Sequence, residues 1–315
     1  MHQENLFQIT AMALAALLGC SGNPGPQVSG QGGGIAVASG GGSGAAGSST
    51  GGTRSSLGGN ATAGGSPGTG GNTGTNPAIK LPTANAGFDY QLGGAYAPPA
   101  GVQVVGRDRN SAPAPGLYNI CYVNGFQIQT DEESFWTTQH PDLILRDSQG
   151  NPVVDTDWNE MLLDTSTAAK RSALATIIGG WITQCATDGF NAVEIDNLDS
   201  YSRSNGLLTQ ANAVAMMTLL SSIGHGCGLA VAQKNSTELL GDASAMGTDF
   251  AVAEECNRYS ECEAYQAVYG NLVFVIEYRT QDFQLGCTNH PELSIILRDV
   301  NLVPLGSSGY VYQAC

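Results

Sequence analysis

Eight short β-forming runs between residues 88 and 297, set apart by stretches long enough for a helix or a loop, constrain this fold more than any other feature. They are FDYQL (88–92), VQVVG (102–106), YNICYV (118–123), AVEID (192–196), LAVAQ (229–233), DFAVA (249–253), LVFVI (272–276) and LSIIL (293–297). Between several lie helical patterns, such as TAAKRSALATIIGGWITQCATDG and TQANAVAMMTLLSSIGHGCG, each closing near a glycine as helices commonly do. Strand and helix in alternation imply a parallel sheet. Eight such strands close most economically into a single (β/α)8 barrel of the α/β class. An open doubly wound sheet is the alternative, but no glycine-rich phosphate loop follows any run. The interval 124–190 breaks the rhythm, and PDLILRDSQGNPVVDTDWNEMLLD within it reads as a hairpin-like decoration.

Ahead of this region the composition changes. Residues 21–84 are Gly, Ser, Thr, Ala, Asn and Pro with almost nothing apolar, and are expected to form a disordered linker. Residues 85–315 then form the globular domain. The apolar run ITAMALAALLGC is too short to span a membrane and suits a secretory signal over residues 1–20. Leu17-Leu18-Gly19-Cys20 resembles a bacterial lipobox, with Cys20 the lipidated residue, although MHQENLFQ lacks the usual positive charge. The expectation is an exported protein, at the bacterial surface or outer membrane through a lipid anchor, and otherwise secreted.

Cysteine usage agrees with export. Of the eight cysteines, seven follow Cys20, an odd number that implies one free or intermolecular thiol. Cys256 and Cys262 close a short loop as an expected disulfide, and Cys287 with Cys315 is a second candidate pair. Cys121 and Cys185, in apolar surroundings, are expected to be buried thiols. Neither a Cys-x-x-Cys pair nor a histidine cluster is present, so no metal or other cofactor is expected.

All acidic residues but Glu4 and all basic ones but Arg54 and Lys80 lie from residue 85 onward, so the globular part carries 26 acids against 10 bases, a net of −16. Such a surface disfavours nucleic acid and anionic membranes and favours cationic partners.

Polar residues gather where the runs end. Asp108 follows the second and Asn124 the third, and Asp196 ends the fourth. Lys234 and Asn235 follow the fifth, Glu254 and Glu255 the sixth, Glu277 and Tyr278 the seventh, and Arg298 and Asp299 the eighth. In AVEIDNLDSY, Glu194, Asp196 and Asp199 have no Lys or Arg beside them, and burying an unpaired carboxylate costs several kcal/mol. The C-terminal rim of a barrel, where catalysis sits, accommodates them. Carboxylates at the ends of separate strands favour acid/base work on a glycosidic bond. DNLD lacks the glycine and terminal glutamate of a calcium loop. Glu277 is a candidate partner for Arg279 or Arg298, and Lys234 a charge-neutralising partner for the acids. Trp136, Trp158, Tyr122 and Tyr201 are candidates either for the core or for stacking on sugar rings.

ICYVNGFQ, GFNAVEIDNLDSY, AVAQKN and AVAEECNRYSECEAYQAVYGNLVFVIEY, in this order, resemble glycoside hydrolase family 114 over about residues 88–300. That family is typified by endo-α-1,4-polygalactosaminidases and adopts a (β/α)8 barrel. The resemblance implies that Asp196 and Glu254 are the catalytic acids, Asp196 as nucleophile or base and Glu254 as general acid. It also implies that Glu194, Asn197, Asp199, Lys234, Asn235 and Tyr278 line the cleft, and Asp108 and Tyr122 are further candidate substrate contacts. The chain departs from the family at EEC, where a Gln or similar residue is expected before the cysteine, so Glu255 rivals Glu254. Strand alternation leaves that rivalry open, since it depends on whether Ala251 and Ala253 or Phe250 and Val252 face the barrel interior. Glu194 and Asp196 share one face either way. The implied substrate is a partly de-acetylated galactosamine polymer, a polycation suited to an acidic cleft. A non-catalytic polysaccharide-binding surface lipoprotein on the same barrel is the alternative, and a metal-dependent hydrolase using the DNLD acids a third reading.

Overall fold

The computed structural model describes residues 78–315. The signal-like segment with Cys20 and nearly all of the Gly/Ser tract lie outside the described residues.

Each of the eight runs forms a strand: β1 (Phe88–Gln91), β2 (Val104–Asp108), β3 (Tyr118–Asn124), β4 (Ala192–Asp196), β5 (Ala230–Lys234), β6 (Phe250–Glu254), β7 (Val273–Glu277) and β8 (Ser294–Arg298). Neighbours in sequence are neighbours in the sheet, and all seven pairings are parallel. The sheet curls into a nearly closed (β/α)8-type barrel. No ladder joins β1 to β8 among the described residues, and side chains bridge that seam instead. Arg298 of β8 pairs with Asp89 of β1 at 2.9 Å and donates to the Tyr90 carbonyl, with both charged groups fully buried. A last strand, β9 (Tyr312–Ala314), runs antiparallel along β8, and the Tyr312 hydroxyl donates to the Phe88 carbonyl at 2.9 Å.

Seven helices lie between the strands: α1 (Glu133–Gln139), α2 (Ala168–Asp188), α3 (Gln210–Gly226), α4 (Ala243–Met246), α5 (Cys256–Tyr259), α6 (Cys262–Tyr269) and α7 (Thr280–Asn289). The two longest are capped as their sequences suggest. The Thr167 side chain accepts from the Lys170 N–H at the start of α2, which Gly189 ends at φ +97°. Thr209 and Asn212 form a capping box at the start of α3. The connections after β1 and β2 carry no helix. Pro98, Pro99, Pro113 and Pro115 fall there, and proline removes helix donors and clashes with the preceding turn.

Inside the barrel, Phe88, Ile120, Ala192, Ala230, Phe250, Val252, Phe274, Ile276 and Ile296 fill the lower and middle levels. Ala251, Ala253, Val273 and Val275 point outward and pack under Tyr265, Tyr269 and Phe283 of α6 and α7. Because Phe250 and Val252 face inward, strand alternation also directs Glu254 inward. Within the irregular interval, Gln127–Ile128, Glu160–Leu162 and Val154–Asp155 pair in that order as a small antiparallel sheet.

Three disulfides tie these layers: Cys256–Cys262, Cys287–Cys315 and Cys121–Cys185. The last corrects the expectation of buried thiols. Outward-facing Cys121 of β3 meets Cys185 of α2 with their Cα atoms 6.1 Å apart, within disulfide range, and apolar surroundings bury a bridge as readily as a thiol. Among the described residues no cysteine is free, so the parity argument for a free thiol does not hold there. Closed disulfides are the mark of an oxidising, extracytoplasmic compartment.

Candidate active site

Lys234, the last residue of β5, is the hub of the C-terminal rim. Only 2% exposed, its Nζ lies 3.3 Å from Glu194 Oε1, 3.3 Å from Asp196 Oδ2 and 3.2 Å from Glu254 Oε2. It also donates to the Tyr90 hydroxyl at 3.3 Å. Burial alone would lower its pKa, but Asp196 and Glu254, with Tyr90 and Glu194, raise it well above the ordinary lysine value. One ammonium thus serves three carboxylates from two flanking strands. The cation that these acids need is supplied by the chain, and among the described residues no group of three or more His, Cys, Asp or Glu is arranged to hold a metal ion.

Each acid is held differently. Glu194 is completely buried and accepts from the Tyr90 hydroxyl at 2.6 Å. Burial pushes its pKa up to about 7, although Lys234 pulls the other way. Tyr90 fits inside the barrel because its register partner on β2 is Gly106, where a Cβ would lie 2.6 Å from the Tyr90 ring. Asp196 is more open: Oδ1 accepts from the Asn197 N–H at 2.7 Å, and Oδ2 faces Lys234. Burial, with Asp196 beside it, raises the Tyr122 hydroxyl pKa well above its usual value. Glu254 accepts from the Asn235 amide at 3.1 Å on Oε2 and from the Tyr278 hydroxyl on Oε1. The Asn235 side chain also accepts from the Glu254 N–H at 2.8 Å, so the two residues clasp each other.

A backbone device recurs here. Asn197, Asn235 and Glu255, each the first residue after its strand, adopt left-handed backbone at φ +63°, +47° and +55°. The chain therefore turns sharply as it leaves β4, β5 and β6. At Glu255 that turn takes the side chain to Arg258, with which it pairs at 2.7 Å, whereas Glu254 joins the lysine cluster.

Two adjoining cavities open above the cluster. One, of about 500 Å3, is lined by Asp196, Lys234, Tyr122, Glu160 and Arg203. The other, of about 670 Å3, is lined by Glu238, Glu255, Arg258, Tyr259 and Arg279. Glu254, Asn235, Tyr278, Asp199 and Trp158 line both.

Not every predicted rim residue faces this space. Asp108 accepts from the Asn110 N–H at 2.8 Å in a turn and lines neither cavity. Asp199 reaches the rim but is clamped by both terminal nitrogens of Arg203, at 2.7 and 2.9 Å. Arg298 and Asp299 serve the seam: Asp299 accepts from the Val303 and Val311 N–H groups. Glu277 pairs with neither arginine. It points out of the barrel and accepts from the Asn257 N–H at 2.9 Å and its side-chain amide at 3.0 Å, while Arg279 pairs with Asp282. Of the four aromatic candidates, Trp136 is wholly core, Tyr201 donates to Glu238 at 2.5 Å, Tyr122 lines the first cavity, and Trp158 is 65% exposed. Sequence reasoning missed Tyr90, Arg203 and Glu160. Tyr90 shares its strand's inward side with Phe88, and that alternation was the available signal. Nothing local marked the other two.

A family model described as glycoside-hydrolase family GH114 matches residues 70–315. The chain belongs to this family and is a glycoside hydrolase. No curated protein sequence matches the chain. Among solved structures, the crystal structure of Aspergillus fumigatus Ega3 in complex with galactosamine is similar at 21% identity with a TM-score of 0.61, covering 78% of this chain and all of that one. The glycoside hydrolase domain of PelA from Pseudomonas aeruginosa is similar at 14% identity and a TM-score of 0.49, over 70% of this chain and 98% of that one.

Proposed function

We propose that the chain cleaves α-1,4-linked, at least partly de-acetylated galactosamine polymer from within, with Asp196 as nucleophile and Glu254 as general acid and base. The observation that carries this reading is that both carboxylates meet the same ammonium. The sum of the two contacts caps the separation of the contacting oxygens at about 6.5 Å. Retaining enzymes hold their carboxyl groups about 5–5.5 Å apart, and inverting ones about 6.5–9.5 Å. A cap at the lower edge of the inverting range favours double displacement with retention of anomeric configuration.

The partners of each acid suit its role. Asp196, with one oxygen on a backbone N–H and the other facing Lys234, is held in position for attack at the anomeric carbon. Glu254 borders both cavities, which assigns the departing half of the chain to the larger one and the attacked sugar to the smaller one, beside Asp196. Glu255 is spent on Arg258 and is the weaker candidate for this step. Ega3 was solved with galactosamine, and an acidic cleft suits a polymer that carries ammonium groups. The lipobox-like Cys20 and the disulfides support display outside the cell on a lipid anchor, the Gly/Ser tract serving as tether.

The test is to incubate the full chain with de-acetylated α-1,4-galactosamine polymer, its fully N-acetylated form and neutral α-1,4-glucan. Chain length and anomeric signals are followed together. Shortening of the amino polymer, with α-configured new ends, is expected. An intact amino polymer would leave the alternative of a polysaccharide-binding barrel, and β-configured ends would overturn the nucleophile assignment.

A further inference from the structure

We propose that the hairpin Val154–Leu162 is the cleft wall that recognises the amino group of the bound sugar, with Trp158 stacking on the ring and the Glu160 carboxylate receiving the ammonium. This rests on the reading of the substrate as an amino-sugar polymer and assigns its recognition to residues outside the barrel.

The hairpin is built to hold a position. Asp155, 2% exposed, pairs with Arg203 Nε at 2.7 Å and accepts from the Gln127 amide at 3.0 Å. Arg203 in turn donates to Asn197 at 3.2 Å and grips Asp199. The turn end of the hairpin is therefore fastened to the loop that follows Asp196. Its turn, residues 156–159, ends on Asn159 at φ +57°, a conformation Asn tolerates well. Trp158 projects from that turn with 65% of its surface exposed and borders both cavities, where it makes no contribution to the core. A rigid indole beside a polar cleft is suited to the apolar face of a sugar ring.

Glu160 lines the smaller cavity with Asp196, and its environment suits a cation. Asn124, the register partner of Asp196, fixes it in place. The Asn124 oxygen accepts from the Phe126 and Gln127 N–H groups at 3.3 and 2.9 Å, so its nitrogen must point the other way, and it donates to Glu160 Oε2 at 3.3 Å. That amide is the only hydrogen-bond partner of the Glu160 side chain, and no ion pair forms at Glu160 among the described residues. Burial first, then Asp196, raise its pKa to about 7. An ammonium beside it would restore charge balance and draw off the proton, whereas an N-acetyl group supplies no charge.

The experiment compares wild type, Glu160→Gln and Trp158→Ala on galactosamine oligomers and on the same oligomers fully N-acetylated. Glu160→Gln is expected to raise KM for the amino oligomers about tenfold, the worth of a charge-assisted hydrogen bond, with kcat and the KM for acetylated oligomers unchanged. Trp158→Ala is expected to raise KM for both. Equal effects of Glu160→Gln on both substrates, no effect on either, or a fall in kcat at constant KM would overturn the assignment. Should wild type cleave the amino oligomers alone, the acetylated arm is read as binding by calorimetry; should it cleave neither, the hydrolytic reading fails on its own. The uncleaved oligomers then serve as ligands in calorimetry: loss of the preference for the amino form in Glu160→Gln supports the proposal, and an unchanged or absent preference overturns it.

Discussion

Lys234 decides how the acids of this site coexist. Removing it leaves Glu194 fully buried with only a tyrosine hydroxyl for company, and stripping a buried carboxylate of its partner costs about 3–5 kcal/mol. Lys234→Met should therefore lower unfolding stability by about 3 kcal/mol or more, and adding Glu194→Gln should recover much of the loss in urea titrations. A double variant no more stable than the single one would mean that Glu194 does not depend on the ammonium. Glu277 offers a pH test. Burial raises its pKa to about 6, and one of its oxygens is buried without a partner. A raised pKa favours the protonated folded form, so its contribution is fully present below the unfolded value near 4.5 and is lost as pH rises through about 6. Glu277→Gln should gain up to about 2 kcal/mol over wild type at pH 8 and little at pH 4.5. An equal gain at both pH values would show that the effect is not titration.

Elements were legible in the sequence to the extent that their burial is regular. The barrel strands lie between packed layers, so their apolar runs stand out, and α2 and α3 carry their own caps. Asp196, Lys234 and Glu254 were legible for the same reason, being polar residues at or just past the end of such runs. The small hairpin was harder to read because its strands are only two and three residues long, too short for an alternation to show. Glu160 and Arg203 owe their place to tertiary contacts that no local pattern encodes. The Cys121–Cys185 bridge was invisible too, since its partners are 64 residues apart and meet only when α2 docks on β3. A loop of that length implies about 4 kcal/mol of stabilisation through the unfolded chain. Replacing both cysteines with alanine should remove a comparable amount while preserving activity at 25 °C. A loss below 1 kcal/mol would place the stability of this layer in packing alone.

At the scale of the whole molecule, charge and architecture act together. The net charge of −15 surrounds a cleft whose own cation is already committed to three acids. Attraction of a polycation should therefore be long-ranged and screened by salt. KM for the amino polymer is expected to rise several-fold between about 20 and 500 mM NaCl, with kcat steady, whereas KM for N-acetylated oligomers stays flat. Equal salt responses would argue against electrostatic capture. The seam is closed by the Arg298–Asp89 pair and bordered by β9 along β8.

The pairing of Asp196 with Glu254 across one lysine is tested most directly by the rate of new reducing ends from de-acetylated galactosamine polymer. Wild type, Asp196→Asn and Glu254→Gln are compared, with melting temperatures confirming that all three fold. Both variants are expected to fall by a factor of about 10³ or more, the scale of losing a nucleophile or an acid/base group. Wild-type release by either folded variant would contradict the shared site.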